Sequence, residues 1–289
     1  MYINKMYTVI LGKGYIGSQL IHHFEKNKIE YKAFSRYQLD YANPEIFRDF
    51  LANETSNIKT VINCFGYTGS PNVDACEDNK EKCYEYNVLY PLNVVKTCHH
   101  LSIPVIQVAS GCIYNGYNKN YTEEDVPNFG FYSEDSSYYS KCKHLFETLV
   151  KDYNAYTLRI RIPFNSDRSI KNYFTKLLRY KDLINETNSV TSVQDFCKFI
   201  EQFPINQIPY GIYNVVNPQP IKAEQVIDIL KKYQLQNQEW NFIKTENLKT
   251  KAKRSNCVLS TDKIESLGLS MPNTLDSLER DIKTFKNNE

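Results

Sequence analysis

The sequence predicts an α/β fold built on a doubly wound parallel sheet, with a smaller mixed α/β region after it. Two observations carry that prediction. The apolar stretches "YTVIL", "KTVINCFG" and "IPVIQVAS" run hydrophobic rather than alternating, as strands do when both faces of their sheet are covered. Segments with helical spacing separate them, beginning with the helix that a glycine-rich turn opens directly after the first strand.

In order, "YTVIL" reads as a buried strand, and "YIGSQLIHHFEKN" as a helix with Ile16, Leu20, Ile21 and Phe24 along one face. "YKAF" follows as a short strand. "NPEIFRDFLAN" is a helix with Asn43 at its cap and Pro44 in the first helical position, where a missing N–H costs nothing. After the strand "KTVINCFG", a long helix is expected over 80–100, kinked or broken where Pro91 removes a donor. The strand "IPVIQVAS", the helix "YYSKCKHLFETLVKDY" and the strand "AYTLRIRIP" complete the alternation. Beyond Pro163 the rhythm fails. Helical segments near 170–181, 192–203, 222–233 and 274–286 are separated by "PINQIPYGIYNVVNPQPI" and a lysine-rich stretch near 244–254. The expected division is therefore 1–163 as a Rossmann-like dinucleotide-binding domain and 164–289 as a smaller substrate-binding region.

Composition narrows the partner. With 289 residues the chain is long enough to bury a sizeable core. A net charge of +2 gives no electrostatic reason to expect nucleic acid or an anionic membrane, which leaves a small molecule as the expected partner. No apolar stretch approaches the roughly 20 residues of a membrane span, so a cytoplasmic protein is expected. The eight cysteines lack CxxC spacing, so neither zinc nor a disulfide framework is expected, and most should be buried thiols. The histidines, in the pairs His22–His23 and His99–His100 and at His144, do not make a metal site, because adjacent helical positions point apart.

In "LGKGYIG", Gly12, Gly14 and Gly17, with Tyr15 and Ile16 between the last two, form Gly-x-Gly-x-x-Gly between a strand and a helix. Such a turn lets backbone approach a pyrophosphate, which then rests on the amide donors of the helix N-terminus. An NAD-preferring site would place a carboxylate about 20 residues on. Here the second strand ends "FSRY", where Ser35 and Arg36 can donate to a 2′-phosphate and no carboxylate is expected to repel it, so NADP(H) is the expected cofactor.

The stretch "SSYYSKCK" offers two tyrosines and two lysines. Residues four apart share a helix face, so Tyr139 pairs with Lys143, whereas Tyr138 faces Cys142. A nearby ammonium would lower the phenol's pKa toward use in acid–base chemistry. Tyr138 and Lys141 read as packing and solvated face. The strand "PVIQVAS" ends at Ser110, whose hydroxyl is placed to hold a carbonyl oxygen beside that phenol.

Ser110, Tyr139 and Lys143 together resemble the catalytic triad of the extended short-chain dehydrogenase/reductase superfamily. That resemblance adds the strand end Asn63, Cys64, Phe65 and Gly66 as cofactor lining, with Asn87 in support. Longer strings narrow it further. "GYTGSPNVDACE", "SGCIY", "EEDVPNF", "YSKCK", "TLRIRIP" and "RSN" are similar to the bifunctional 3,5-epimerase/4-reductase of nucleotide-rhamnose synthesis, in plants the C-terminal half of rhamnose synthase. dTDP-4-dehydrorhamnose reductases and GDP-fucose synthases resemble it more distantly. The glycine turn departs from the Gly-x-x-Gly-x-x-Gly of close relatives by one residue.

The resemblance implies conversion of UDP-4-keto-6-deoxyglucose to UDP-L-rhamnose with NADPH. It implies Cys112 and Lys176 as the two epimerisation groups, a thiolate populated among cations taking a proton and an ammonium returning one. Arg254 is implied as a diphosphate contact, with Asn72 and Asp74 on the sugar side. Two alternatives stand beside this: a monofunctional UDP- or dTDP-4-dehydrorhamnose 4-reductase served by a separate epimerase, and a non-catalytic NADP-binding regulatory subunit. A homodimer is common in the superfamily.

Overall fold

In the computed structural model, residues 6–235 and 238–287 are described. The first part runs β1 (Tyr7–Leu11), α1 (Tyr15–Lys26), β2 (Tyr31–Phe34), α2 (Pro44–Glu54), β3 (Ile58–Asn63), α3 (Ala75–Asp78), α4 (Lys80–Tyr84), a π-helical turn (Glu85–Leu89), α5 (Tyr90–His100), β4 (Val105–Ser110), β5 (Gly116–Tyr121), α6 (Tyr138–Val150) and β6 (Ala155–Ile160). It continues as β7 (Pro163–Phe164), α7 (Tyr173–Arg179), β8 (Asp182–Ile184), β9 (Thr191–Ser192), α8 (Val193–Gln202), β10 (Gly211–Asn214), α9 (Ala223–Lys232), β11 (Asn241–Ile243), β12 (Cys257–Leu259), α10 (Asp262–Ser266) and α11 (Thr274–Asn287).

Six strands form one parallel sheet in the order β2-β1-β3-β4-β6-β10. Side chains alternate across its faces, which explains why the strands read as continuous apolar runs. Ile10, Ile62, Ile106 and Leu158 pack under α1 and α8, while Val9, Leu11, Val61 and Val105 pack against α2, α5 and α6. From β1 the chain moves outward to β2 and then crosses to β3 on the other side. That reversal opens a crevice at the carboxyl ends of β1 and β3, where open α/β sheets bind their ligands.

Local signals explain the helices. The Asn43 side chain accepts from the Glu45 and Ile46 N–H groups, capping α2 as its sequence predicts. The expected long helix over 80–100 runs from α4 through the π-helical turn into α5 with helical angles at both junctions, and Pro91 follows directly after that turn.

The boundary at 163 requires correction. α8 packs against α1 through Phe196, Cys197 and Ile200, and β10 is the edge strand of the main sheet, so 193–214 belongs to the Rossmann-like unit. A polar loop stretch after Pro163 interrupts the strand–helix rhythm without ending the domain. The smaller unit has its own core, in which Phe164 and Phe174 meet Val226, Leu230, Leu278 and Phe285 from α9 and α11.

One buried ion pair locks α6 to β6. Glu147 accepts from Arg159 Nε and from Nη2 at 2.7 Å, both side chains are almost wholly buried, and Arg159 Nη1 also donates to the Tyr114 hydroxyl. Removing one partner of such a pair strands the other's charge in the interior. Glu147→Ala is therefore expected to cost about 3–5 kcal/mol, read as a lowered midpoint in urea unfolding.

Candidate active site

Helix α6 starts where the sequence places it because the Ser137 side chain accepts from the Ser140 N–H. Ser140 Oγ in turn donates to the Cys112 carbonyl at 2.9 Å, tying the helix to the turn that follows β4. Tyr139 and Lys143 lie one turn apart, with the ammonium 5.6 Å from the centre of the Tyr139 ring. Ser110 ends β4 with its hydroxyl beside the Tyr139 phenol, and it accepts from the Cys112 N–H at 3.4 Å. Ser110, Cys112, Tyr139 and Lys143 thus form one cluster. The Cys112 thiol faces the side chains of Ser110 and Ser140, with Lys143 and Arg161 nearby.

The electrostatics differ from the sequence expectation. Burial pushes the Tyr139 phenol well above its ordinary value, and the nearby Cys112 raises it further, outweighing the Ser110 hydrogen bond that lowers it. The lowering expected from Lys143 does not prevail, and that lysine is itself lowered by burial. Tyr139 therefore stays protonated, the form required of a proton donor. Burial likewise raises the Cys112 thiol, against hydrogen bonds from Ser110 and Ser140 and the charges of Arg161 and Lys143. The expected ready thiolate is corrected to a mostly protonated thiol in this state.

The glycine turn fits a dinucleotide. Gly12 has φ +91°, and a Cβ there would meet Phe65 at 2.7 Å, while a Cβ on Gly17 would lie 1.9 Å from the Gly12 carbonyl oxygen. Both are glycine because β1, α1 and the end of β3 touch there. At Gly14, by contrast, a Cβ would meet nothing within 4 Å, so the N-terminus of α1 faces open space. Tyr15 donates to Asn165 and Ile16 packs on the core, so their side chains anchor the turn. Gly66 links this crevice to the cluster around Tyr139, since a Cβ there would sit 3.1 Å from Asn87 Oδ1 and 3.5 Å from Lys143 Nζ.

Several expected cofactor residues have structural duties. Asn63 is fully buried, donates to Gln107 and accepts from the Phe65 N–H, and so shapes the turn. Cys64 is raised by burial, and Phe65 stacks on Tyr41. Asn87 bonds both polar backbone atoms of Tyr67. At the ribose end, Arg36 lies over the rings of Tyr86 and Tyr90. Ser35 is occupied, since both its N–H and its hydroxyl donate to Gln38. The expected absence of a carboxylate there is also corrected: the turn after Ser35 brings Asp40 into the same surface cavity as Arg36. Arg36 is the cation lining that cavity, where a 2′-phosphate is expected. Arg36→Ala is expected to weaken NADPH binding about tenfold or more and leave NADH binding much less affected, measured by fluorescence titration.

A second cavity of about 440 Å³ lies between the two units, lined by Asn72, Lys171, Lys176 and Arg254 among others. Lys176 sits on α7, and the structure brings it into no hydrogen bond with Cys112 or Tyr139. Burial, then the charges of Lys171 and Arg254, lower the Lys176 ammonium to about 8. The expected sugar contacts are already engaged. Asn72 Oδ1 accepts from the Asp74 N–H, and the Asp74 carboxylate accepts from Arg254 Nη1 at 2.8 Å and from the Ala252 N–H. Burial opposes ionisation of Asp74, but the Arg254 and Ala252 bonds outweigh it and lower its pKa. Asp74 thus positions Arg254.

Sequence reasoning missed Lys171 and Arg161. Arg161 donates to the Gly111 carbonyl, to Asn188 and to Ser255, tying the turn that carries Cys112 to the loop that carries Arg254. Its signal was the polar residue in the apolar run "TLRIRIP". The other missed feature is a buried group of three thiols, Cys76, Cys83 and Cys142, which no sequence spacing announced.

Residues 6–287 match the protein family described as RmlD substrate binding domain. The chain is similar to a bifunctional dTDP-4-dehydrorhamnose 3,5-epimerase/dTDP-4-dehydrorhamnose reductase of Arabidopsis thaliana, 33% identical over 217 residues that cover 71% of this chain and 70% of that protein. It is also similar to a trifunctional UDP-glucose 4,6-dehydratase/UDP-4-keto-6-deoxy-D-glucose 3,5-epimerase/UDP-4-keto-L-rhamnose-reductase of Arabidopsis thaliana, 31% identical over 271 residues; those cover 89% of this chain but 39% of that much longer protein. Among solved structures, a UDP-rhamnose synthase from Acanthamoeba polyphaga mimivirus superposes with a TM-score of 0.87 at 24% identity, covering 97% of this chain and 99% of that one. A dTDP-4-dehydrorhamnose reductase from Bacillus anthracis str. Ames in complex with NADP gives 0.80 at 20% identity, covering 96% and 98%. At these identities the two superpositions speak to the fold alone.

Proposed function

The chain belongs to the RmlD substrate-binding-domain family, and on that premise we propose that it is an NADPH-dependent 3,5-epimerase/4-reductase that converts UDP-4-keto-6-deoxy-D-glucose to UDP-L-rhamnose. The observation that carries this reading is the single cluster of Ser110, Cys112, Tyr139 and Lys143 beside Gly66. It pairs reductase groups with a thiol that reduction alone does not need.

The sugar's C4 ketone makes the hydrogens on C3 and C5 acidic, because either carbanion delocalises onto O4 as an enolate. Ser110 and Tyr139 are hydroxyl donors suited to that oxygen, and donors fixed in advance stabilise the developing charge. The Cys112 thiolate takes the proton from carbon and becomes a thiol. The Lys176 ammonium gives one to the opposite face and becomes an amine, and proton exchange through solvent resets both. Burial makes the thiolate scarce but a stronger base, and the Ser110 hydroxyl and the charges of Arg161 and Lys143 supply part of its stabilisation.

When bound, NADPH supplies a hydride to C4. Gly12, Gly14 and Gly17 would hold its diphosphate and Arg36 its 2′-phosphate. Tyr139 then gives its proton to O4, and Lys143 stabilises the phenolate left behind. Arg254, oriented by Asp74, is the cation for the substrate's diphosphate.

The raised Cys112 thiol favours one competing reading, a 4-reductase that receives its sugar from a separate epimerase. Incubation of the purified chain with NADPH and either UDP- or dTDP-4-keto-6-deoxyglucose separates the two by NMR of the product. The L-rhamno configuration at C3, C4 and C5 is expected, with the UDP sugar turned over faster. A product unchanged at C3 and C5 would leave the reductase alone.

A further inference from the structure

Lys171 lies just before the Asn172 cap of α7, in the smaller unit. Its ammonium reaches across the cleft to the loop after β3, where it donates to Thr68 Oγ1 at 3.2 Å and to the Gly69 carbonyl. The same loop carries Asn72 and Asp74. Lys171 and Lys176 line the same cavity, and each is half-buried there.

Such a contact has two consequences. A lysine held by a hydroxyl and a carbonyl remains a cation without a carboxylate to neutralise it, so its field acts on what lies beside it. It also joins two segments about a hundred residues apart whose separation sets the width of the cleft.

We propose that Lys171 is a positioning residue for epimerisation: docked on Thr68 and Gly69, it holds the loop of Asn72 and Asp74 against α7 and keeps a second positive charge beside Lys176. The proposal rests on the assignment of Lys176 as the proton donor.

The groups facing Lys176 make the direction definite. Lys171 approaches from the segment before α7, and Arg254 from the loop before β12. Asp74 is bound to Arg254 and takes up part of that charge. Asp182 and Glu186 line the cavity as well, with Glu186 accepting from Tyr117. Lys171 is thus the neighbouring cation with no carboxylate bonded to it. Like charge disfavours the ammonium, so Lys171 lowers the pH at which Lys176 loses the proton it must deliver. Burial does the same, and the Lys176 value of about 8 reflects both.

The test is exchange of solvent deuterium into C3 and C5 of UDP-4-keto-6-deoxyglucose, without NADPH, followed against pH. Exchange by the unaltered protein should fall as pH rises through about 8, where Lys176 deprotonates. In Lys171→Gln that alkaline limb should move up by roughly half a pH unit or more, while Lys171→Arg keeps it in place. Thr68→Val, which frees the ammonium from its hydroxyl without removing the charge, should move it by less. NADPH oxidation with the already epimerised 4-keto sugar reports that each variant is folded.

A limb that stays in place in Lys171→Gln, with or without a change in KM, overturns the proposal. Lys176→Gln separates the underlying assignment: loss of exchange supports it, and retained exchange removes Lys176 as the donor and the role of Lys171 with it.

Discussion

Tyr139→Phe is expected to lower kcat for NADPH oxidation by about 100- to 10,000-fold. The phenol lies beside Ser110, burial keeps it protonated, and Lys143 lies 5.6 Å from its ring centre. On the proposed reading it is the donor to a ketone oxygen held beside Ser110. Phenylalanine keeps the ring and its packing and removes only the donor, so the protein should fold and bind NADPH as before. Stopped-flow absorbance at the NADPH band measures the loss. Full activity in this variant would remove Tyr139 from the chemistry.

Cys112→Ala is expected to separate the two activities. Exchange of solvent deuterium at C3 and C5 should fall by about 100-fold or more, because Cys112 is the proposed acceptor of the carbon-bound proton and Tyr139 is held neutral. Reduction of the already epimerised sugar should continue, since Ser110, Tyr139 and Lys143 remain. Its pH dependence has a definite sign. Burial raises the thiol, so the thiolate population grows with pH across the neutral range, and the base limb of exchange should rise until the Lys176 ammonium is lost near 8. An exchange rate in Cys112→Ala equal to that of the unaltered protein would favour the separate-epimerase reading.

Much of the architecture was legible because it follows from periodicity. Continuous apolar strands announced a covered parallel sheet, and Asn43–Pro44 announced the start of α2. Helical spacing paired Tyr139 with Lys143, and their position after the strand ending at Ser110 lifted the pair above a chance match. The domain boundary was not, because α8 and β10 return to the main sheet through long-range packing that no local pattern encodes. The pKa shifts were also hidden. Spacing showed the ammonium near the phenol, but burial, which dominates both Tyr139 and Cys112, depends on the whole surrounding fold. Asp74 and Arg254 were each singled out separately, and only the folded chain shows them bonded across 180 residues. Lys171 gave no sequence signal at all, since a lysine in a polar loop reads as solvated until its partners are known.

If one cleft performs both proton exchange at carbon and reduction of the ketone, the product carries the record of both. Turnover of UDP-4-keto-6-deoxyglucose with unlabelled NADPH in D2O, followed by proton NMR of the product, tests it most directly. A rhamnose nucleotide carrying deuterium at C3 and C5 and protium at C4 is expected. A reduced sugar that keeps protium at all three carbons would contradict it.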